Sequence, residues 1–121
     1  NAILDAQDGY FPAIITFVAV ADRGEVVGTA SLLLEEKFIH AGGLVGHIED
    51  VAVHANYQNK GIGKVLVSRC VEAASEHQCY KVILSCSQSN VSLYEGLGFR
   101  PHEVSMRLDL DKGEDSGEST E

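Results

Sequence analysis

Residues 13–21, Ala-Ile-Ile-Thr-Phe-Val-Ala-Val-Ala, are apolar except for Thr16 and rich in β-branched side chains. They predict a buried strand. Asp22-Arg-Gly-Glu25 supplies a tight turn, and residues 26–34 predict a second strand, so the pair reads as a hairpin. Residues 35–43 read as a loop punctuated by Gly42-Gly43, residues 46–53 as a third strand, and residues 54–60 as a polar loop. The period then changes. Ile62, Val65, Leu66, Cys70, Ala73, Ala74 and His77 recur at three- and four-residue steps, with Lys64, Ser68, Arg69, Glu72, Ser75 and Glu76 between them, which predicts an amphipathic helix. Residues 80–86 predict a fourth strand. Residues 90–96 predict a short helix closed by Gly96-Leu-Gly98. Residues 103–110 alternate between Val104, Met106, Leu108, Leu110 and polar neighbours, as a half-buried strand does. The order β-β-β-α-β-α-β predicts an α/β (α+β) domain, a mixed sheet with helices packed on it.

Composition narrows the class. A chain of 121 residues that is 45% hydrophobic and 22% charged is one globular domain's worth. No apolar run nears the ~18 residues of a membrane span, so none is expected. Nine basic against eighteen acidic residues give a net charge of −9, the opposite of what nucleic-acid binding demands. Any anionic ligand must therefore meet local positive charge. The domain is expected over residues 1–110. Residues 111–121, an acidic Ser/Gly-rich run, are expected to be a disordered tail.

Cys79 and Cys86 flank the fourth strand, about 23 Å apart at strand rise, beyond disulfide reach. With Cys70 they make an odd set of reduced thiols, which points to an intracellular, cytoplasmic protein. The chain begins at Asn1 rather than Met, which leaves an organelle open. No Cys/His group has zinc spacing, so no metal is expected.

Gln58-Asn-Lys-Gly61-Ile-Gly63-Lys64 joins the polar loop to the long helix. Glycines there permit a tight turn and close approach to the backbone. The first helical turn offers unpaired N–H groups and the positive dipole end, an anion site flanked by Lys60 and Lys64. A phosphate-binding P-loop would need Gly at 58 and Ser or Thr at 65, where the chain has Gln58 and Val65. A dinucleotide fingerprint starting at Gly61 would need Gly or Ala at 66, where the chain has Leu66.

What remains, Gln-x-x-Gly-x-Gly at the head of a helix, resembles the acetyl-CoA pyrophosphate loop of the GNAT superfamily of N-acetyltransferases. Asn90-Val-Ser-Leu-Tyr94-Glu-Gly-Leu-Gly-Phe99 resembles that superfamily's second signature. Glu36-Lys-Phe-Ile-His40, Gly46-His-Ile-Glu-Asp-Val51 and Cys79-Tyr-Lys81 are similar to the branch acting on glucosamine 6-phosphate. The resemblance implies the GNAT fold, with a further strand and helices ahead of residue 13 expected outside this chain. It implies acetyl-CoA as co-substrate and D-glucosamine 6-phosphate as acceptor. It also implies direct transfer, a place on the route to UDP-GlcNAc, and a homodimer with shared active sites.

The resemblance also assigns residues. Val51, Ala52 and Val53 would pair with the pantetheine arm, and Asn59, Lys60, Gly61, Ile62, Gly63 and Lys64 would hold the pyrophosphate. Ser85 and Asn90 join the acetyl-CoA set. Tyr94 maps onto the tyrosine that donates to the departing sulfur, a role suited to a phenol that is neutral near pH 7. Lys37, Phe38, Ile39, His40, Tyr80 and Lys81 align with acceptor contacts. Glu49 and Asp50 are adjacent acids on an otherwise apolar strand, read as binding the amine and drawing off its proton, directly or through water.

Two positions depart from the branch. Ser85 stands where an acidic residue is common, and a serine is no base unaided, which shifts the proton-accepting role to Glu49, Asp50 or water. Asp109 stands where a basic residue usually meets the phosphate, so Arg107, two residues earlier, is the expected replacement. The alternatives are another amine acceptor (a polyamine, an amino acid or a protein) and a non-catalytic acyl-CoA binding module.

Overall fold

The computed structural model describes residues 13–37 and 42–111. These fall into two compact units, one ending at Leu84 and one starting at Ser85.

The first unit is a sheet with one long helix. Strands β1 (Ala13–Val20), β2 (Val26–Lys37) and β3 (Gly43–Val53) form an antiparallel meander. Helix α1 (Ile62–Glu76) then crosses over to β4 (Cys79–Ile83), which runs parallel to β3. The order across the sheet is β1-β2-β3-β4. The β1–β2 turn closes through Gly24 N–H to Ala21 and Ala21 N–H to Glu25, with Gly24 at φ 96°. Strand β2 runs three residues past the expected boundary, so Glu35, Glu36 and Lys37 are strand rather than loop. The meander lengthens because residues 35–37 find partners in residues 43–45, a pairing that local propensity does not report.

Alternation along the strands decides what faces α1. Ala30, Leu32 and Leu34 of β2 and Ile48 of β3 are buried, together with Leu66, Val67, Cys70, Ala73 and Ala74 of α1. Gly28 and Gly46 let the helix lie close. A Cβ on Gly46 would sit 3.0 Å from Leu32 Cδ1 and 3.3 Å from Ala74 Cβ, and one on Gly28 would sit 3.1 Å from Leu66 Cδ1. The expected helix face is rotated slightly: Val65 is 63% exposed and Val67 is 1% exposed. His77 is likewise outside the core, as C-cap, its Nδ1 2.9 Å from the Ala73 carbonyl oxygen.

The second unit holds a 3-10 turn (Gln88–Asn90), helix α2 (Val91–Glu95) and a run to residue 111 that is neither helix nor strand. The strand expected over residues 103–110 is absent: that run has no ladder partner among the described residues. A segment without one has no ladder to hold it as a strand. The expected acidic tail, from residue 112 onward, lies outside the described residues.

Candidate active site

Strand β3 changes character halfway along. Its first half is paired on both sides, to β2 and to β4. The β4 pairing covers Leu44 to His47 and stops at the His47–Ile83 rung. From Ile48 to Val53 the β4-side edge of β3 has no strand beside it among the described residues, which leaves the peptide groups there open to a ligand.

A β-bulge sits within this open half. Thr29 pairs with Ala52 and Ser31 with Glu49, so Ala30 alone faces both Asp50 and Val51. Asp50 takes up the extra residue at φ 56°, a left-handed conformation that non-glycine residues rarely adopt. Strict alternation would send Glu49 and Asp50 to opposite faces, but the bulge re-aims the chain and both are exposed.

Beyond Val53 the chain turns through a 3-10 segment (Ala55–Tyr57) capped by His54, whose Nδ1 accepts from the Asn56 N–H at 3.1 Å. The Gln58 side chain donates to the Val53 carbonyl at 3.0 Å and folds the loop against the end of β3. Asn59 and Gly61 are both left-handed, at φ 64° and 84°. Gly61 is the N-cap of α1 and brings no side chain to cap it. The first-turn N–H groups of α1 are thus without a side-chain cap, with exposed Lys60 and Lys64 beside them. Among the described residues a Cβ on Gly61 would meet nothing within 4 Å, and one on Gly63 would meet Val53 Cγ2 at 3.8 Å. No described residue fills the space over these glycines, and the donor set suits a pyrophosphate. A hollow of about 300 Å³ lies between β1 and α1, bounded at one end by Lys60, Gly61 and Ile62 of this same helix start, with the Arg69 guanidinium 4.8 Å from the Phe17 ring centroid. Among the described residues none of the acceptor candidates lines it.

The sheet face away from α1 gathers the charged acceptor candidates of the first unit. Lys37 and Glu49 lie on it with Glu35 and His47, and Lys81 stands level with Val45, which also pairs with Glu35. Tyr80 is the extra residue of a second irregularity, between the Leu44–Cys79 and Val45–Lys81 pairs, and the Lys81 ammonium lies 5.8 Å from its ring centroid. Glu35 and His47 carry no role in the sequence reading. Glu35 sat in what read as loop, and only the β2–β3 register brings it to His47. Phe38, Ile39 and His40 lie outside the described residues.

In the second unit, Tyr94 is half-buried on α2, its ring edge-on to Phe99 at 6.0 Å. Burial pushes its phenol above the ordinary value, and neighbouring Cys86 adds to the effect, so the hydroxyl is a neutral donor at physiological pH. The Tyr94 carbonyl accepts from the Leu97 and Phe99 N–H groups through the turn containing Gly98 at φ 100°. Asn90 is the N-cap residue of α2 and makes no side-chain capping bond. Ser85 is exposed. Arg107 donates from Nε to Asp109 at 2.8 Å, so the candidate cation already has a carboxylate partner.

This combination of split sheet, bulge and glycine-turned helix start agrees with the family comparison. The chain matches the acetyltransferase (GNAT) family over residues 3–99, and it belongs to that family. Within it, the chain is 49% identical over 87 residues to the glucosamine 6-phosphate N-acetyltransferase of Trypanosoma brucei brucei, covering 72% of this chain and 59% of that protein. It is 46% identical over 101 residues to the protein of the same name from Schizosaccharomyces pombe, covering 84% of this chain and 91% of that one. Among solved structures, a Trypanosoma brucei acetyltransferase superposes with a TM-score of 0.79 at 43% identity, over 90% of this chain and 75% of that one. Glucosamine-6-phosphate N-acetyltransferase from Arabidopsis thaliana gives 0.80 at 31% identity, over 91% and 76%.

Proposed function

We propose that this chain transfers acetyl from acetyl-CoA directly to the amine of D-glucosamine 6-phosphate, giving N-acetyl-D-glucosamine 6-phosphate for UDP-GlcNAc synthesis. The observation that carries the reading is the open, bulged half of β3 leading straight into the uncapped, glycine-turned start of α1. The names of the trypanosome and fission-yeast relatives support the acceptor.

Acetyl-CoA supplies the activated acetyl group. The exposed β3 edge from Val51 to Val53 pairs with its pantetheine arm, and the amides of residues 59–64 with Lys60 and Lys64 receive its pyrophosphate. Ser85 and Asn90 are the further candidates for acetyl-CoA. Glu49 and Asp50 accept the proton that the amine loses, directly or through water. Tyr94 donates to the departing sulfur. A hydrogen bond to a thiolate is stronger than one to a thioester, so this contact favours the transition state. Lys37, Lys81 and Tyr80, with Phe38, Ile39 and His40, bind the sugar phosphate, and Arg107, paired with Asp109, is the remaining candidate for it.

The functional unit is a homodimer with shared active sites. Val104, Met106, Leu108 and Leu110, at 81–87% exposure, support this, being patterned to pair with a strand and cover one face. Three free thiols support an intracellular home, and the net charge of −9 argues against nucleic acid as a partner.

The test is CoA release from acetyl-CoA with glucosamine 6-phosphate, unphosphorylated glucosamine or spermidine. Turnover with the phosphosugar alone is expected. Turnover with spermidine instead overturns the acceptor. Acetyl-CoA binding without turnover on any acceptor replaces the enzyme by an acyl-CoA binding module.

A further inference from the structure

The sheet face turned away from α1 holds a cluster whose centre the proposed chemistry does not use. Glu35 and Lys37 alternate on β2 and so share that face, and His47 stands on β3 opposite Leu33, diagonal to Glu35. The Glu35 carboxylate is divided between them: Oε1 lies 2.7 Å from His47 Nε2, and Oε2 lies 3.3 Å from Lys37 Nζ. An ionised carboxylate only accepts, so the imidazole proton is on Nε2. The hydrogen bond from His47, then that from Lys37, hold the Glu35 carboxyl below its ordinary value.

We propose that Glu35 is a positioning residue: it holds the Lys37 ammonium in place for the acceptor's phosphate, while His47 holds Glu35. The inference rests on the phosphosugar reading above. A lysine is a point charge on a flexible stem, and much of its binding free energy is lost in fixing that stem. Lys37 ends β2 and is only partly covered, and among the described residues its head is met by Glu35. One of three ammonium donors goes to Glu35, and two remain for phosphate oxygens. An acid so near a phosphate would ordinarily repel it. The hydrogen bond from His47 draws charge out of the carboxylate on the side away from Lys37, which explains why the acid is paired twice rather than once.

The experiment measures steady-state kinetics of the full chain carrying Glu35→Gln, alone and with Lys37→Met. Glu35→Gln is expected to raise the KM for glucosamine 6-phosphate about threefold, the size of a partly exposed ion pair, with kcat and the KM for acetyl-CoA unchanged. In the Lys37→Met background it is expected to add nothing, because a residue that acts through another is silent once that residue is gone. Glu35→Asp keeps the charge but shortens its reach, and serves as the same test should the Gln variant fold poorly. An unchanged KM, an equal factor in both backgrounds, or a simultaneous fall in kcat overturns the inference. If Lys37→Met leaves the KM unmoved while the wild-type protein acetylates the phosphosugar, the inference falls and the function stands. If the wild-type protein does not acetylate it, the functional reading falls and takes the inference with it.

Discussion

Ala30, Leu32 and Leu34 on β2 and Val104, Met106, Leu108 and Leu110 near the C-terminus follow the same alternation of apolar and polar positions, yet their surroundings are opposite. Leu32 and Leu34 are paired on both sides and Ala30 lies at the bulge, and all three are sealed under α1, each no more than 2% exposed. The C-terminal four stand in solvent, without a neighbouring strand among the described residues. Alternation states which face a segment can bury. It does not supply the partner, which for β2 is local, a short turn away on one side, and for residues 104–110 is absent from the chain as described.

The contrast can be broken most strongly by truncating one residue of each kind. Leu32→Ala removes a fully buried side chain and is expected to cost about 2–5 kcal/mol in urea unfolding. Leu108→Ala is expected to stay within about 0.5 kcal/mol for the monomer, while weakening self-association measured by sedimentation. Comparable losses in unfolding would mean that residues 104–110 are covered within a single chain.

The second unit has no buried residue among those described, so its chemistry and its stability should separate. Tyr94→Phe is expected to lower kcat about tenfold, about 1.4 kcal/mol of transition-state stabilisation, with acetyl-CoA affinity and melting temperature nearly unchanged. A large fall in melting temperature instead would make Tyr94 a packing residue. Asp50 offers the reverse separation within the first unit. Asp50→Gly relieves a left-handed non-glycine residue and is expected to raise stability by about 1 kcal/mol while turnover falls. Unchanged turnover would remove Asp50 from the catalytic set.

The smallest effect concerns pH. The Glu35 carboxyl is held below its usual range in the folded protein, chiefly by the hydrogen bond from His47. Its contribution is therefore fully present above the ordinary carboxylate range and is lost as pH falls through the lowered folded-state value. Glu35→Gln is expected to flatten that part of the stability–pH curve and leave the neutral region alone. A curve that keeps its acid slope would assign the slope to other carboxylates.

Much of the first unit was legible because its signals are local. A continuous apolar run, a tight turn and a change of period from two to 3.6 mark β1, β2 and α1, and Gly61-Ile-Gly63 marks the helix start. What failed was set at a distance. Glu35 to Lys37 read as loop, since two acids and a lysine have low strand propensity, and only residues 43–45 across the ladder make them strand. Glu49 and Asp50 were legible as acids in an apolar strand, but the bulge that exposes both depends on register with Thr29 and Ser31. Val65 and Val67 are equally apolar, and the rotation that buries one of them is fixed by the close approach of α1 at Gly28 and Gly46. The Glu35–His47 pair had no signal at all in one dimension.

The short junction between β3 and β4 bears on how the sheet comes apart and together. Four rungs hold β4, and closing them requires the whole of α1 to be spanned first, whereas β1, β2 and β3 pair with strands next to them in the chain. Contacts distant along the chain incur loop-closure entropy before they return any stability. In the native protein β4 should accordingly be the first strand to open, its amides exchanging with deuterated solvent sooner than those of β2. The open edge of β3 thus begins at the least protected seam of the sheet.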